Sequence, residues 1–336
     1  MRSPLGFDAT ASAAAVRGAI SAISVHPHFI DKTGERMCLA RDAGLGIDVV
    51  LTLRLETLLI SAIGEALKHG LPAAREMKLG CWIGIPEPRA GMPVGLHQSL
   101  SASVADRFGL LPPAIKVLPR GHAAGLMAMQ AAAESISTGE IEVCIAAGVD
   151  SYHDPDTLEW LDQCGLLMSA ANRNGFPPSE AAGACLLASR HAANHYGLPV
   201  LGSVRAAATA LEPHPIRSTG VCIGEGLSTV IKDIIARCNL PHGAISATYC
   251  DLNGERYRNE EFAYTLLRVQ DAFVDAHDYL SPADCWGDVG AASGLCFASL
   301  AISAKQRGYA KGSSPLLWAG SESGYRTAVL MNLGHA

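Results

Sequence analysis

The sequence predicts an α/β protein made of two similar halves, and three observations carry that prediction. Apolar strand-like runs alternate with helical patterns along the 336 residues, which implies a mainly parallel sheet covered on both faces. Two glycine-flanked turns, Gly121-His122-Ala123-Ala124-Gly125 and Gly290-Ala291-Ala292-Ser293-Gly294, each open a helix of small residues. Each helix then leads to a strand with an Ala-Gly-x-acid-Ser ending, Ala147-Gly148-Val149-Asp150-Ser151 in one case and Ala319-Gly320-Ser321-Glu322-Ser323 in the other. A unit that recurs with its ending indicates internal duplication. The halves are placed at residues 1–196 and 197–336, joined near Gly197 to Leu201.

Composition narrows the class. Apolar residues make up 49% of the chain and charged residues 17%, which suits a packed core rather than a disordered or fibrous chain. The net charge of -6 offers no general attraction to nucleic acid or to an anionic membrane. None of the ten cysteines forms a CxxC pair, so they read as reduced thiols of a cytoplasmic protein. The most apolar helical stretch carries Arg54, Glu56 and Glu65 and is not expected to span a membrane. No basic region followed by a long apolar run marks a signal peptide.

In chain order, residues 14–29 alternate enough to suggest a strand ended by His26-Pro27-His28. Those two histidines face one way at i and i+2, either as a metal pair or as ordinary exposed residues beside a proline. Residues 48–69 show a helical period with Gly70-Leu71-Pro72 as the stop. Residues 79–85 read as a buried strand, 96–108 as a helix, and 115–118 as a strand feeding the Gly121 turn. Residues 141–148 follow as a strand, and a polar stretch with few periodic signals runs to Asn174. A strand at 185–189 closes the first half. In the second half, residues 295–305 read as a helix and 315–318 as a strand.

A turn that opens a helix aims free backbone N–H groups, and partial positive charge, at one point. That suits an anion, a thiolate or a carbonyl oxygen. The same pattern also serves as a plain tight strand-to-helix turn.

Three stretches resemble a known family. The segment GHAAGLMAMQAAAESISTGEIEVCIAAGVDSY resembles the nucleophile turn, helix and strand of the thiolase-like superfamily, closest to the β-ketoacyl-[acyl-carrier-protein] synthases. RNGFPPSEAAGACLLASRHAANHYG resembles the close of that family's first half, and WGDVGAASGLCFASLAISAKQRGY its segment with the second catalytic histidine. The resemblance implies the thiolase fold, two duplicated halves in a five-layered α-β-α-β-α arrangement, and a homodimer paired through central strands.

Matched by position, the nucleophilic cysteine of the family is replaced by His122. Its first histidine falls in Tyr249-Cys250-Asp251-Leu252-Asn253-Gly254, most simply on Asp251, and its second on Asp288. The late Gly-Phe-Gly-Gly turn becomes Ser321-Glu322-Ser323-Gly324. A helix N-terminus disfavours imidazolium, so His122 is expected to be neutral. Carboxylates cannot donate hydrogen bonds to an oxyanion and would repel it. The expected function is a catalytically degenerate synthase-like protein acting as a binding or accessory module.

Short thiolase-like chains of this kind resemble those encoded beside type VI secretion effectors, which implies a secretion effector or its adaptor as a protein partner. The rival reading is an active acyltransferase or thioesterase on acyl-CoA or acyl-carrier protein. It would use a relocated site of Cys250, His122 and Asp288 as a triad, with Asp251 adjacent. A divalent metal held by the same His, Asp and Cys types is a further alternative, and so is plain salt-bridging of the acids by Arg120, Arg256 or Arg258. No cofactor and no metal are assigned from the sequence. Arg120, Arg205 and Arg217 are candidate contacts for a phosphopantetheine or coenzyme A phosphate. Trp160, Trp286 and Trp318 are assigned to the core or a dimer interface.

Overall fold

The computed structural model describes residues 1–68, 79–216 and 218–334. The Gly70 stop signal and Arg217 lie outside the described residues.

Two mixed sheets share one topology. The first contains β3 (Leu79–Ile85), β4 (Ile115–Pro119), β5 (Val143–Ser151) and β6 (Glu180–Ala188), in the order β4-β3-β5-β6. The second contains β7 (Ser203–Leu211), β8 (Ala247–Cys250), β9 (Tyr279–Leu280), β10 (Pro315–Gly320) and β11 (Tyr325–Asn332), in the order β7-β11-β10-β8-β9. In both, two parallel pairs are followed by an antiparallel one: β3 with β4 and β5, then β5 with β6. The counterparts are β8 with β9 and β10, then β10 with β11. The repeat read from the two Gly-flanked turns is thus a repeat of topology. The expectation of mainly parallel pairing holds in the first sheet, with two parallel pairs to one antiparallel, and not in the second, where β11 pairs antiparallel on both sides.

Five layers result. α2 (Leu51–Leu67) and α3 (Leu96–Phe108) cover the outer face of the first sheet, because Leu51, Leu55, Leu58, Leu59, Ala62 and Ile63 make one apolar stripe and Leu96, Leu100 and Val104 another. α7 (Glu225–Cys238) and α8 (Arg256–Val269) cover the second sheet in the same way. Between the sheets lie α4 (Ala124–Ser137) and α10 (Ser293–Gln306), which have few polar positions to offer water.

Small residues make this middle layer possible. A Cβ on Gly84 would lie 2.4 Å from the Ala124 carbonyl carbon, and one on Gly148 2.4 Å from the Ala291 oxygen. Both separations are below van der Waals contact, so the turn opening each central helix rests directly on a glycine of the first sheet. Gly121 has φ +62° and Gly290 φ +49°, left-handed values that favour glycine where each strand breaks into its turn.

The sequence misreads three places. Residues 14–29 are not one strand: α1 (Ala9–Arg17) forms first, capped by Asp8, whose Oδ1 accepts from the Ala11 N–H at 2.7 Å. Only Ser24–Ile30 (β1) is extended, paired with Arg36–Leu39 (β2). His26-Pro27-His28 therefore lies within a strand, with His26 buried and His28 exposed. The polar stretch after β5 holds α5 (Pro155–Gln163), started by an Asp154 cap and proline at its first position. β6 begins at Glu180 rather than at residue 185, since its Ala/Gly start lacks the bulky residues that mark strands. Three short helices, α6 (Arg190–His195), α9 (Ala283–Trp286) and the turn at Gln270–Ala272, complete the periphery.

Candidate functional site

The end of β4 delivers the chain into a 3-10 turn, Gly121–Ala123, which continues into α4. His122 sits in that turn, 6% exposed. From the opposite half, the end of β8 supplies Asp251 and Asn253, the start of α8 supplies Arg258, and the loop before α10 supplies Asp288. The structure therefore brings His122, Asp251 and Asp288 together, as the positional match implies.

These groups neutralise one another. His122 Nε2 lies 2.9 Å from both Asp288 oxygens. Asp288 also accepts from Asn253 Nδ2 at 2.5 Å and from the Gly290 N–H at 2.8 Å. Arg258 donates to Asp251 Oδ2 at 2.9 Å, to Glu255 Oε2 at 2.9 Å and to the Gly320 carbonyl at 2.8 Å. The Gly320 N–H returns a bond to Asp251 Oδ2 at 2.8 Å. One further guanidinium nitrogen of Arg258 stands 3.4 Å from His122 Nε2.

With His122 neutral, three carboxylates (Asp251, Glu255, Asp288) would face the single Arg258 cation in a buried space. Burial pushes the His122 pKa down, but the Asp288 charge and hydrogen bond outweigh it against Arg258, and the net direction is up. For Asp288, burial works upward, yet His122, Arg258 and Asn253 together hold the carboxyl well below its usual range. The carboxylate at contact distance thus works against the helix terminus, which alone would favour the neutral imidazole. The point where helix N–H groups converge is also filled, since Ser321 Oγ accepts from the Ala123 N–H at 2.9 Å and donates to the Arg120 carbonyl. Ser321 comes from the Ser-Glu-Ser-Gly stretch that replaces the family's late glycine turn.

Cys250 lines the small cavity beside this cluster but has no hydrogen bond to His122 or Asp288 among the described residues. Its thiol is fully buried, joins the core under the second sheet, and points at the Leu280 carbonyl 3.8 Å away. Burial pushes it well above the ordinary thiol range. Only the His122–Asp288 part of the Cys250–His122–Asp288 triad is formed. The ligand set of the metal alternative does not converge at these residues: among the described residues the group of three candidate ligand atoms within 4.8 Å of one another is that of Glu212, Cys222 and Glu261. Of the arginines proposed to pair with the acids, Arg258 does so, Arg256 pairs with Glu260 on the surface, and Arg120 lies over the Tyr325 ring. Arg205 donates to the Cys238 carbonyl at 3.2 Å. Trp286 and Trp318 are buried, Trp318 against Phe262.

The cavity at the site is lined by Cys250, Asp251, Asn253, Trp286, Asp288 and Phe297 and holds about 10 Å³, room for about one water molecule. Asp251 Oδ1 is buried without a partner. The reading of the residues did not single out Glu255, or the second buried pair of Arg89 with Asp150 at 2.7 Å. Asp150 in turn accepts from the Ala291 N–H at 2.9 Å, which ties the first half's Ala-Gly-x-acid-Ser ending to the second half's glycine turn. That recurring acid was the available signal.

Comparison with known proteins agrees with this architecture. Residues 62–193 match the family described as beta-ketoacyl synthase, N-terminal domain. No curated protein matches the chain. Among solved structures, the oxazolomycin ketosynthase domain of Streptomyces albus JA3453 has a TM-score of 0.80 at 16% identity, over 99% of this chain and 74% of that one. A type II polyketide synthase acyl-carrier protein complex with its ketosynthase, bound to a hexaketide, gives 0.81 at 12% identity, over 99% and 97%. The ishigamide ketosynthase/chain length factor gives 0.73 at 17% identity, over 98% and 96%. The layers and strand orders define a thiolase-fold protein. Together with the family match, which is confined to residues 62–193, they show that the chain has a ketosynthase-like fold.

Proposed function

We propose that this ketosynthase-like chain does not condense acyl groups and serves as a binding or accessory module. The observation that carries the proposal is the buried contact of His122 Nε2 with both Asp288 oxygens, in the turn that resembles the family's nucleophile turn. A ring nitrogen whose N–H is committed to a carboxylate is neither a nucleophile nor a base. The two partner positions hold carboxylates that would oppose an oxyanion, and the adjoining cavity has room for one water rather than an acyl chain.

Two of the similar structures suggest what such a module does. One is described as a ketosynthase in complex with its acyl-carrier protein, and another as a ketosynthase/chain length factor. By analogy, this chain pairs with a second thiolase-fold subunit, a copy of itself in the simplest case, and offers a surface to an acyl-carrier protein or to another protein in the cytoplasm. A secretion effector or its adaptor is the partner implied by the resemblance to short chains of that setting.

The test is the intact mass of the protein before and after incubation with a panel of acyl-CoA thioesters. No adduct and no thioester consumption is the expected result. A gain of one acyl group, lost in Cys250→Ala, would instead establish the relocated acyltransferase or thioesterase.

A further inference from the structure

A separate group of acidic and thiol side chains lies outside the His122 cluster. Glu212 follows directly on β7, Cys222 lies in the loop before α7, and Glu261 stands on the buried face of α8. One ligand atom from each lies within 4.8 Å of the other two. Ligand atoms around a tetrahedral zinc ion stand about 3.3–3.8 Å apart, given bonds of about 2.0–2.3 Å. A closure of about 1 Å would therefore complete the set.

The two carboxylates are nearly buried, Glu212 at 3% and Glu261 at 4% exposure, but their partners differ. Glu261 is held by Arg326, whose guanidinium donates to Oε1 at 2.6 Å and to Oε2 at 2.9 Å. A carboxylate offers about four acceptor sites, so each Glu261 oxygen keeps one. Glu212 Oε2 accepts from the Gly226 N–H at 2.7 Å, in the first turn of α7. Glu212 Oε1 is buried and has no hydrogen-bond partner among the described residues. Buried polar groups are ordinarily satisfied, and an ionised oxygen is the costliest to leave bare. The backbone keeps the carboxylate where it is: the Glu212 N–H donates to the Gly324 carbonyl at 2.7 Å, and a Cβ on Gly226 would lie 2.8 Å from the Glu212 nitrogen.

The local charge favours a cation. Arg326 offsets one of the two carboxylates, and an ionised Cys222 would leave the group with two negative charges in excess. The neighbouring cations are committed elsewhere: Arg258 to Asp251 and Glu255, and Arg268 to the Ile223 carbonyl at 2.6 Å. Burial, with Glu261 and Glu212 nearby, pushes the Cys222 thiol up to about 11. A metal ion at the sulfur is what would ionise it at neutral pH. Cys222 is only partly buried, which gives an ion a way in. A thiolate beside carboxylates suits zinc, whereas calcium and magnesium take oxygen ligands.

We propose that Glu212, Cys222 and Glu261 hold one zinc-class divalent cation, through Glu212 Oε1, the Cys222 thiolate and one Glu261 oxygen. Three protein ligands leave the fourth tetrahedral position to water. On binding, the sulfur–metal bond replaces the sulfur–hydrogen bond and the thiol proton passes to solvent. The site ties the end of β7 and the loop before α7 to α8. It shares no residue with the cluster around His122 and stands whether or not that cluster handles acyl groups.

Cobalt(II), a spectroscopic stand-in for zinc, tests the proposal when added to the reduced, chelator-treated full chain. A thiolate-to-cobalt charge-transfer band that zinc displaces is the expected result. Cys222→Ser should abolish the band. Glu212→Gln keeps an acceptor for the Gly226 N–H and should weaken cobalt binding by about 100-fold, the upper end of what losing a mere supporting group costs. No band in the parent would overturn the site. So would a band that survives in Cys222→Ser, since another of the ten cysteines would then be the ligand, and so would unchanged affinity in Glu212→Gln. Alkylation of the parent protein needs no variant. Zinc at ten times its dissociation constant should slow labelling of Cys222 by about tenfold and leave the exposed Cys164 unaffected. Equal labelling of Cys222 with and without zinc would contradict the proposal.

Discussion

His122 and Asp288 face each other across the two halves, with the imidazole Nε2 equidistant from both carboxylate oxygens at 2.9 Å. Both are nearly buried, and each is tied to the half that supplies it: His122 by the turn into α4, and Asp288 by the Gly290 N–H at 2.8 Å. The relationship works as a clasp between the turn into α4 and the loop before α10.

Breaking the clasp from one side is therefore expected to be costly. Asp288→Asn leaves His122 buried without its counter-ion, and such losses run to about 3–5 kcal/mol. Replacing both partners with leucine should recover much of that loss, since the desolvation of both charges disappears. Denaturant unfolding at neutral pH measures both variants. A single variant as stable as the parent would contradict the ion pair.

The pH dependence has two limbs. The His122 pKa is raised on folding, so its contribution is complete below about pH 6.5 and fades as pH rises through the raised value. Asp288 is lowered, so its contribution holds above about pH 4 and is lost only in strong acid. His26 and His153 act oppositely. Their rings lie 5.4 Å apart in buried surroundings, and burial, helped by Arg41 near His26 and Arg54 near His153, lowers each to about 4. The unfolded chain takes up those protons first, so stability should fall as pH drops from about 6.5 toward 4. His153→Gln is expected to flatten that limb in unfolding measurements across the range, and an unchanged slope would remove His153 from it.

Cysteine labelling should separate the thiols by position. Cys164 is exposed and Cys250 fully buried, so native alkylation followed by peptide mapping is expected to modify Cys164 and spare Cys250. Rapid labelling of Cys250 without unfolding would restore the acyl-transfer reading.

The packing of the turns on the first sheet predicts a steric result. Gly148→Ala would set its Cβ 2.4 Å from the Ala291 oxygen, against backbone that cannot swing aside. A loss of about 1–3 kcal/mol or more is expected in thermal or denaturant unfolding. A neutral effect would mean that the second half's turn does not rest on β5.

Much of this architecture is legible in the residues. The strand Leu79–Ile85 and helix Leu96–Phe108 follow from apolar runs and a clear glycine stop at Gly109, whose φ is +67°. The convergence of His122, Asp251 and Asp288 follows from the positional match to the resembled family rather than from the pattern of the residues alone. The direction of the His122 pKa does not, because it depends on the sum of Asp288, Arg258 and burial, and those groups are distant in the chain. α1 is missed because an alanine run reads equally as strand or helix until the Asp8 cap is weighed. β6 is missed at its start because alanine and glycine carry no strand preference, and burial between α2 and α10 sets its conformation.

The most direct measurement is the nitrogen-15 spectrum of imidazole-labelled protein, with the His122 signals assigned by comparison with His122→Gln and followed from pH 5 to pH 9. The ion-pair account predicts that both His122 ring nitrogens stay protonated through pH 7, with the transition above the ordinary histidine range. A His122 that is neutral at pH 7, or titrates below about 6.5, would contradict it and return a free base to the centre of the site.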